Sequence, residues 1–195
     1  MGFLESDDRH GGCDRQVPVR AGPVQDFLPF APVAVGSDPD HAAAGLGTLI
    51  GLARRRVPRA AMETLSDSAI TTAQGVVGDY RGKAKPDGRV TRRQVSLLRR
   101  EDWTLAEAEL ACALPWTHRR ANLFVEGLDL PRVAGTIVAI GDVRLAVSGE
   151  CDPCRRMDEQ HPGLWPALVP DWRGGYLMTV IAGGHVRLGD AVRTL

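Results

Sequence analysis

The chain has 195 residues, 44% of them hydrophobic, 25% charged and 5% aromatic, a balance that fits one globular domain and does not read as a disordered protein. Its 24 Lys and Arg cancel its 24 Asp and Glu, so no whole-chain field points to a nucleic acid or an anionic membrane as partner. Apolar runs such as 33–35 and 179–182 fall far short of the roughly 20 residues of a bilayer span. No run near Met1 resembles a signal h-region, so a cytoplasmic protein is expected, with neither membrane nor nucleic acid among its partners.

Composition changes near residue 45. Residues 1–44 hold seven acidic residues against three arginines, together with Gly11-Gly12, four prolines between 18 and 32, and no sustained period of 2 or 3.6. Such a segment cannot bury enough apolar surface to offset its ordering entropy, so it is expected to be a poorly ordered N-terminal extension. Its apolar piece at 27–35 suits a docked edge segment, and Pro29 and Pro32 argue against a central strand. Residues 45–195 are expected to form the folded domain.

Within that domain a strand is predicted over 48–53, where a small apolar stretch runs into Arg54, Arg55 and Arg56. Residues 61–73 fit helix and strand equally, and Gly75, Gly78 and Gly82 then open a loop that continues through 86–88. A short buried strand is predicted over 95–98. The clearest helix covers 101–112, with Trp103, Ala106, Leu110 and Leu105 along one side and Pro115 closing it. A strand over 122–125 follows. Next, 136–140 and 143–147 alternate on both sides of Gly141-Asp142, a hairpin signal. Strands over 176–182, 185–188 and 191–195, separated by Gly183-Gly184 and Gly189-Asp190, end the chain. The sum is a β-rich α+β fold with a few inserted helices and no internal repeat.

Four cysteines, Cys13, Cys112, Cys151 and Cys154, are too sparse for a disulfide scaffold. Cys151-Asp152-Pro153-Cys154 follows the second hairpin arm and precedes 155–160, a stretch free of Gly and Pro that is expected to begin a helix. A strand end passing into a helix start places Cys154 where free amide donors and the helix dipole stabilise a thiolate, the nucleophilic and metal-binding form. Three other readings compete. The pair fits inert half-buried thiols, a redox dithiol, or half of a zinc site completed by Cys112, His118 or His161.

The second chemical feature is a set of arginines at loop positions: Arg92-Arg93, Arg119-Arg120, and Arg173 before Gly174-Gly175. Guanidinium forks match phosphate oxygens, and a Gly-Gly pair lets backbone N–H groups approach the same anion, so a phosphorylated ligand is expected. Taken singly, each arginine reads equally as solvated surface, because 22 of the 24 basic residues are Arg. The five histidines form no HExxH and no serine sits in GxSxG, which leaves hydrolase chemistry without support.

In chain order, Gly75-Val76-Val77-Gly78-Asp79, Arg93-Gln94-Val95-Ser96-Leu97-Leu98, Arg119-Arg120-Ala121-Asn122-Leu123, Gly127-Leu128-Asp129-Leu130, Ile140-Gly141, the Cys-Asp-Pro-Cys run, Arg173-Gly174-Gly175, and Gly183 through Gly189-Asp190 resemble a MOSC domain. This is the domain found at the carboxyl end of molybdenum cofactor sulfurases, and the resemblance covers about residues 46–195. It implies a MOSC-type mixed β-barrel and a pocket for the molybdenum cofactor, a pterin dithiolene that carries a phosphate. By position, the family's signature cysteine maps to Cys154, with Cys151 as its neighbour in the catalytic pair. That cysteine carries sulfur as a persulfide or, in amidoxime-reducing relatives, ligates molybdenum. Cofactor contacts map to Arg93, Ser96, Arg119, Arg120, Asn122 and Arg173, joined by Gly174 and Gly175. Arg81 stands where the family pattern often has a histidine. The resemblance further implies a family-level association with pyridoxal phosphate proteins and, as partners, a cysteine desulfurase or an electron-donor protein.

Two functions from different classes follow from the resemblance. One is a sulfur-carrier or cofactor-handling module. The other is a small molybdoenzyme that reduces N-hydroxylated substrates with an external electron donor, since the chain holds neither a ferredoxin-type cysteine run nor a GxGxxG nucleotide loop.

Overall fold

The computed structural model describes residues 46–195. The expectations for 1–44, including the edge segment at 27–35, lie outside the described residues. In chain order the strands are β1 (Leu46–Arg54), β2 (Glu63–Thr64), β3 (Asp67–Thr71), β4 (Gly75–Val76), β5 (Val95–Arg99), β6 (Leu123–Glu126), β7 (Ile137–Ile140), β8 (Val143–Glu150), β9 (Tyr176–Ala182), β10 (Gly184–Arg187) and β11 (Ala191–Thr194). Helix α1 (Arg100–Leu110) links β5 to β6, and the four-residue α2 (Leu164–Ala167) lies between β8 and β9.

Seven strands close into a barrel in the order β11-β7-β8-β9-β5-β6-β1, because β1 pairs with β6 on one side and with β11 on the other. β2 adds to the edge of β1, and β3 pairs with β4 and β10 in a separate small sheet. The expected β-rich mixed barrel is the observed fold. Its strand pairs are antiparallel except β5 with β6, which run parallel because α1 carries the chain back across the barrel.

Burial follows the side-chain period of two. In β8, Val143, Leu145 and Val147 point into the barrel while Arg144 and Ala146 face away, and Ile140 opposes Val143 across the tight Gly141-Asp142 turn. Leu49, Leu97, Val125, Ile140, Leu145, Tyr176, Met178 and Val192 fill the interior. β5 is buried on both faces, as a parallel strand under a helix should be. Leu97 joins the barrel interior, and its neighbour Leu98 packs outward with Trp103, Ala106, Phe124, Leu164 and Leu168 under the helices.

Helix α1 follows the predicted periodicity at Trp103 and Ala106, but Leu105 is exposed. Its side of the helix turns away from β5, so the buried stripe is narrower than expected. The helix expected over 155–160 is a single 3-10 turn, Arg155–Met157, followed by turns that lead to α2. Pro162 limits how far a helix begun at Arg155 could run. The ambiguous stretch 61–73 is strand, held by pairing with β1, β4 and β10, which no local pattern announces.

Candidate functional site

Asp79 organises the site. Its carboxylate is buried and accepts three hydrogen bonds, from the Arg55 backbone N–H at 3.0 Å, the Arg81 backbone N–H at 2.8 Å and Asn122 Nδ2 at 3.2 Å. One anion thereby pins the end of β1, the turn after β4 and the start of β6. Asn122 extends the network: its Oδ1 accepts from the Ser96 N–H at 3.1 Å and from Ser96 Oγ at 3.0 Å, and its Nδ2 also donates to the Ala53 carbonyl at 3.2 Å. A nearby device fixes the start of β5. Gln94 is buried, donating to Thr72 O at 2.6 Å and accepting from Val180 N–H at 2.9 Å. Arg93 is thus presented from an immobile base.

The segments held in this way border a cavity of about 240 Å³ lined by Arg55, Pro58, Arg59, Tyr80, Arg81, Arg93, Arg119, Arg120, Asp152, Cys154 and Arg156. Seven arginines and one carboxylate, that of Asp152, are among its lining residues, on a chain whose net charge is zero. Arg55 is buried, and its Nε has no hydrogen-bond partner. Burial, then the positive charges of Arg120, Arg81 and Arg93, lower its pKa to about 10 against the opposing pull of Asp79. Burial, then Arg156, Arg81 and Arg93, lower the pKa of Arg120 in the same direction. Desolvated cations that repel one another are costly unless an anion joins them, so the cavity is built for negative charge.

Arg119 is both wall and clamp. It is 3% exposed, donating from Nε to Gly174 O at 2.6 Å and from Nη2 to Cys151 O at 2.6 Å, with Cys151 Sγ 3.0 Å from the same nitrogen. The loop of the two cysteines is therefore tied to the loop before β9. Gly174 is required by this closeness: a Cβ there would lie 2.5 Å from Cys151 O. Gly175 has φ of 94°, a Cβ on it would lie 2.3 Å from Leu97 O, and its N–H donates to Trp172 O. Arg120 takes the left-handed conformation, φ 62°, and donates to Ala60 O at 2.6 Å. That backbone reversal aims two consecutive arginines at one cavity.

The sequence-predicted residues thus divide. Arg93, Arg119, Arg120 and Cys154 line the cavity together. Cys151 lies behind the lining, 2% exposed on Arg119, whereas Cys154 is exposed. Ser96 and Asn122 reach the cavity only through Asp79 and the backbone they hold. Arg173 does not line it: its guanidinium pairs with Glu109 and donates to Ala167 O at 3.3 Å, tying α2 to α1. Gly174 and Gly175 are outside the lining as well, serving close backbone packing instead of an anion. Cys154 precedes one 3-10 turn, too short for the dipole the sequence suggested, and the charge around it comes from arginines.

Arg55, Arg59, Tyr80 and Arg156 escaped sequence reasoning, Arg81 entered it only as a departure from the family pattern, and Asp79 was named in a motif without its anchoring role. The run Arg54-Arg55-Arg56 was a signal for one of them, but which arginine turns inward depends on strand register. For the zinc reading, no group of three or more His, Cys, Asp or Glu among the described residues is placed to hold a metal ion. No described helix is long and apolar enough to cross a membrane.

Comparison with known proteins agrees with the fold. The model of the MOSC domain family matches residues 68–193. The YuaD protein of Bacillus subtilis is 20% identical, with a TM-score of 0.65 over 76% of this chain and 95% of its own. YiiM of Geobacillus stearothermophilus is 14% identical, with a TM-score of 0.59 over 76% of this chain and 75% of its own. YiiM of Escherichia coli is 17% identical, with a TM-score of 0.54 over 76% and 68%. No curated protein matches. The family match takes in Asp79, Arg81, Arg93, Arg119, Arg120 and Cys154, and the chain belongs to the MOSC domain family.

Proposed function

We propose that this protein is a cofactor-handling MOSC module that holds the molybdenum cofactor by its anionic part and presents Cys154 as a sulfur carrier or metal ligand. One observation carries the reading: the exposed thiol of Cys154 opens on the same cavity as seven arginines, one of which has a buried, unpartnered Nε. The residues present fit such a group, since the arginines match a phosphate and a cysteine is a soft ligand. Arg55, Arg81, Arg93 and Arg120 would hold the phosphate, and Cys154 would face the metal end. The cofactor, when bound, supplies redox chemistry at molybdenum.

As a carrier, Cys154 acts through its thiolate, which attacks the outer sulfur of a donor persulfide such as one on a cysteine desulfurase. One S–S bond forms as the other breaks, and the donor leaves as a thiolate. An acceptor then takes the outer sulfur and Cys154 is restored. Arg119 keeps the loop of Cys151 fixed while this happens. The reductase reading uses the same residues and needs an external electron donor.

Expression in a host that makes the cofactor, with molybdenum and persulfide assayed in wild type, Cys154→Ser and Cys151→Ser, tests the reading. Serine keeps the size but loses the soft, ionisable sulfur, so Cys154→Ser should lose nearly all of whichever load the wild type carries, and Cys151→Ser only part. Full loading of Cys154→Ser refutes the assignment, as does faster alkylation of Cys151 than of Cys154 in the native protein.

A further inference from the structure

We propose that the loop between Arg81 and Arg93, with the exposed apolar residues at the cavity mouth, docks the protein that exchanges sulfur with Cys154, and that this partner presents an acidic face. The inference rests on the carrier reading of the proposed function and adds the surface chemistry of the partner. Residues 82–92 carry four cations, Lys83, Lys85, Arg89 and Arg92, against the single carboxylate of Asp87. None of the four lines the cavity, although Arg81 and Arg93, at the two ends of the loop, both do. The loop therefore rises from the rim that Cys154 shares. Arg89 is paired with Asp87 at 2.6 Å, and Arg92 donates to Ser148 O at 2.9 Å. Lys83 and Lys85, the only lysines of the chain, are exposed, and their side chains make no hydrogen bond or ion pair with the described residues.

Backbone bonds hold this loop in shape. The Ala84 N–H donates to Ala73 O at 2.7 Å, the Lys85 N–H to Arg89 O at 2.9 Å and the Gly88 N–H to Lys85 O at 2.9 Å. Among the described residues nothing lies within 4 Å of a Cβ built on Gly88, so the tip stands clear of the domain. A charged surface fixed before its partner arrives loses little entropy on binding. Hydrated lysines that no carboxylate neutralises attract an acidic surface from a distance and speed the encounter. Apolar residues then supply the close contact. Val57 is 56% exposed and Tyr80 45% exposed, and Pro58 joins Tyr80 in the cavity lining. An apolar centre beside a charged rim is the anatomy of a protein–protein contact. The proposed exchange also draws its sulfur from a persulfide on a protein cysteine, which makes the partner a protein and not a nucleic acid.

The test uses the full chain and three synthetic peptides, each with one cysteine carried as a persulfide and flanked by glutamates, by glutamines or by lysines. The outer sulfur passes to Cys154 as the peptide cysteine leaves as a thiolate, and mass spectrometry after rapid quenching gives the rate. At low salt the glutamate peptide should load Cys154 roughly ten-fold faster than the glutamine peptide, and added sodium chloride should erase the difference. Lys83→Glu combined with Lys85→Glu should remove most of that advantage, leave the glutamine peptide's rate unchanged and make the lysine peptide faster than it is on the wild type. Equal rates for the glutamate and glutamine peptides, or an advantage that the double reversal leaves unchanged, overturn the docking surface and leave the carrier reading standing. Loading of Cys154 by none of the peptides overturns the carrier reading and the surface with it. Stronger inhibition by a mixed-sequence DNA oligonucleotide than by a cysteine-free glutamate peptide of equal charge assigns the loop to nucleic acid and also overturns the inference.

Discussion

Arg55 gathers the electrostatic strain of the cavity in one side chain. Its guanidinium is buried with an unpartnered Nε, and its pKa is lowered to about 10. A lowered value on a base means that the folded chain holds the proton less well than the unfolded chain. The resulting penalty is fully present below about pH 10 and fades as pH rises from there to the ordinary arginine value. At pH 7, therefore, Arg55→Gln should raise stability by roughly 0.5–2 kcal/mol, the size of a typical stabilising substitution. In a protein of this size that is a few degrees of Tm. The same substitution should weaken phosphate and pyrophosphate binding. Scanning calorimetry and titration on one preparation check both halves, and a fall in Tm would make Arg55 a structural residue.

At the scale of elements, the site is held by buried polar links between strands that are remote in sequence. Asp79 joins the end of β1, the turn after β4 and, through Asn122, the start of β6 and the middle of β5. Asp79→Ala leaves the buried Arg55 amide without its acceptor, at roughly 1–3 kcal/mol, and releases the part-buried Arg81 amide to water. It also withdraws the negative charge that offsets the arginines. Tm should fall and anion affinity should fall with it, whereas Ser96→Ala, which keeps Asp79 in place, should cost stability with little effect on affinity. Gly174 is a second link. Gly174→Ala places a methyl 2.5 Å from Cys151 O, so the loop of Cys151 must shift away from Arg119, costing about 1–3 kcal/mol by overpacking. Thermal unfolding measures the cost, and faster alkylation of Cys151 would report the loosened loop.

For the whole molecule, net charge zero conceals a separation of charge. Positive groups concentrate around one cavity, and the repulsion among them is a load the barrel must carry. Any anion that binds the folded chain alone should relieve it. At a concentration one hundred times its Kd, such an anion adds about 2.7 kcal/mol. Millimolar pyrophosphate should accordingly raise Tm by several degrees, and the shift should shrink as sodium chloride is added, because screening weakens the attraction. Chloride at the same ionic strength should produce little shift. A Tm insensitive to pyrophosphate would mean that the arginines are stable as they stand.

Local pattern alone determined much of the barrel. Alternation with a Gly-Asp turn fixed the β7–β8 hairpin, because a period of two and a two-residue turn are properties of adjacent residues. Trp103 and Ala106 fixed the buried side of α1 in the same way, and the ordered motifs marked Arg93, Arg119, Arg120 and Cys154 before any contact was visible. Closure of the barrel through β1 and β11 was decided only in three dimensions, since pairing across almost 150 residues leaves no local trace. So were the inward turn of Arg55, Arg81 and Arg156, the outward use of Arg173 on Glu109, and the anchoring by Asp79. An arginine carries the same charge wherever it stands in the chain. What decides its use is the acceptor or the neighbouring cation that folding brings beside it.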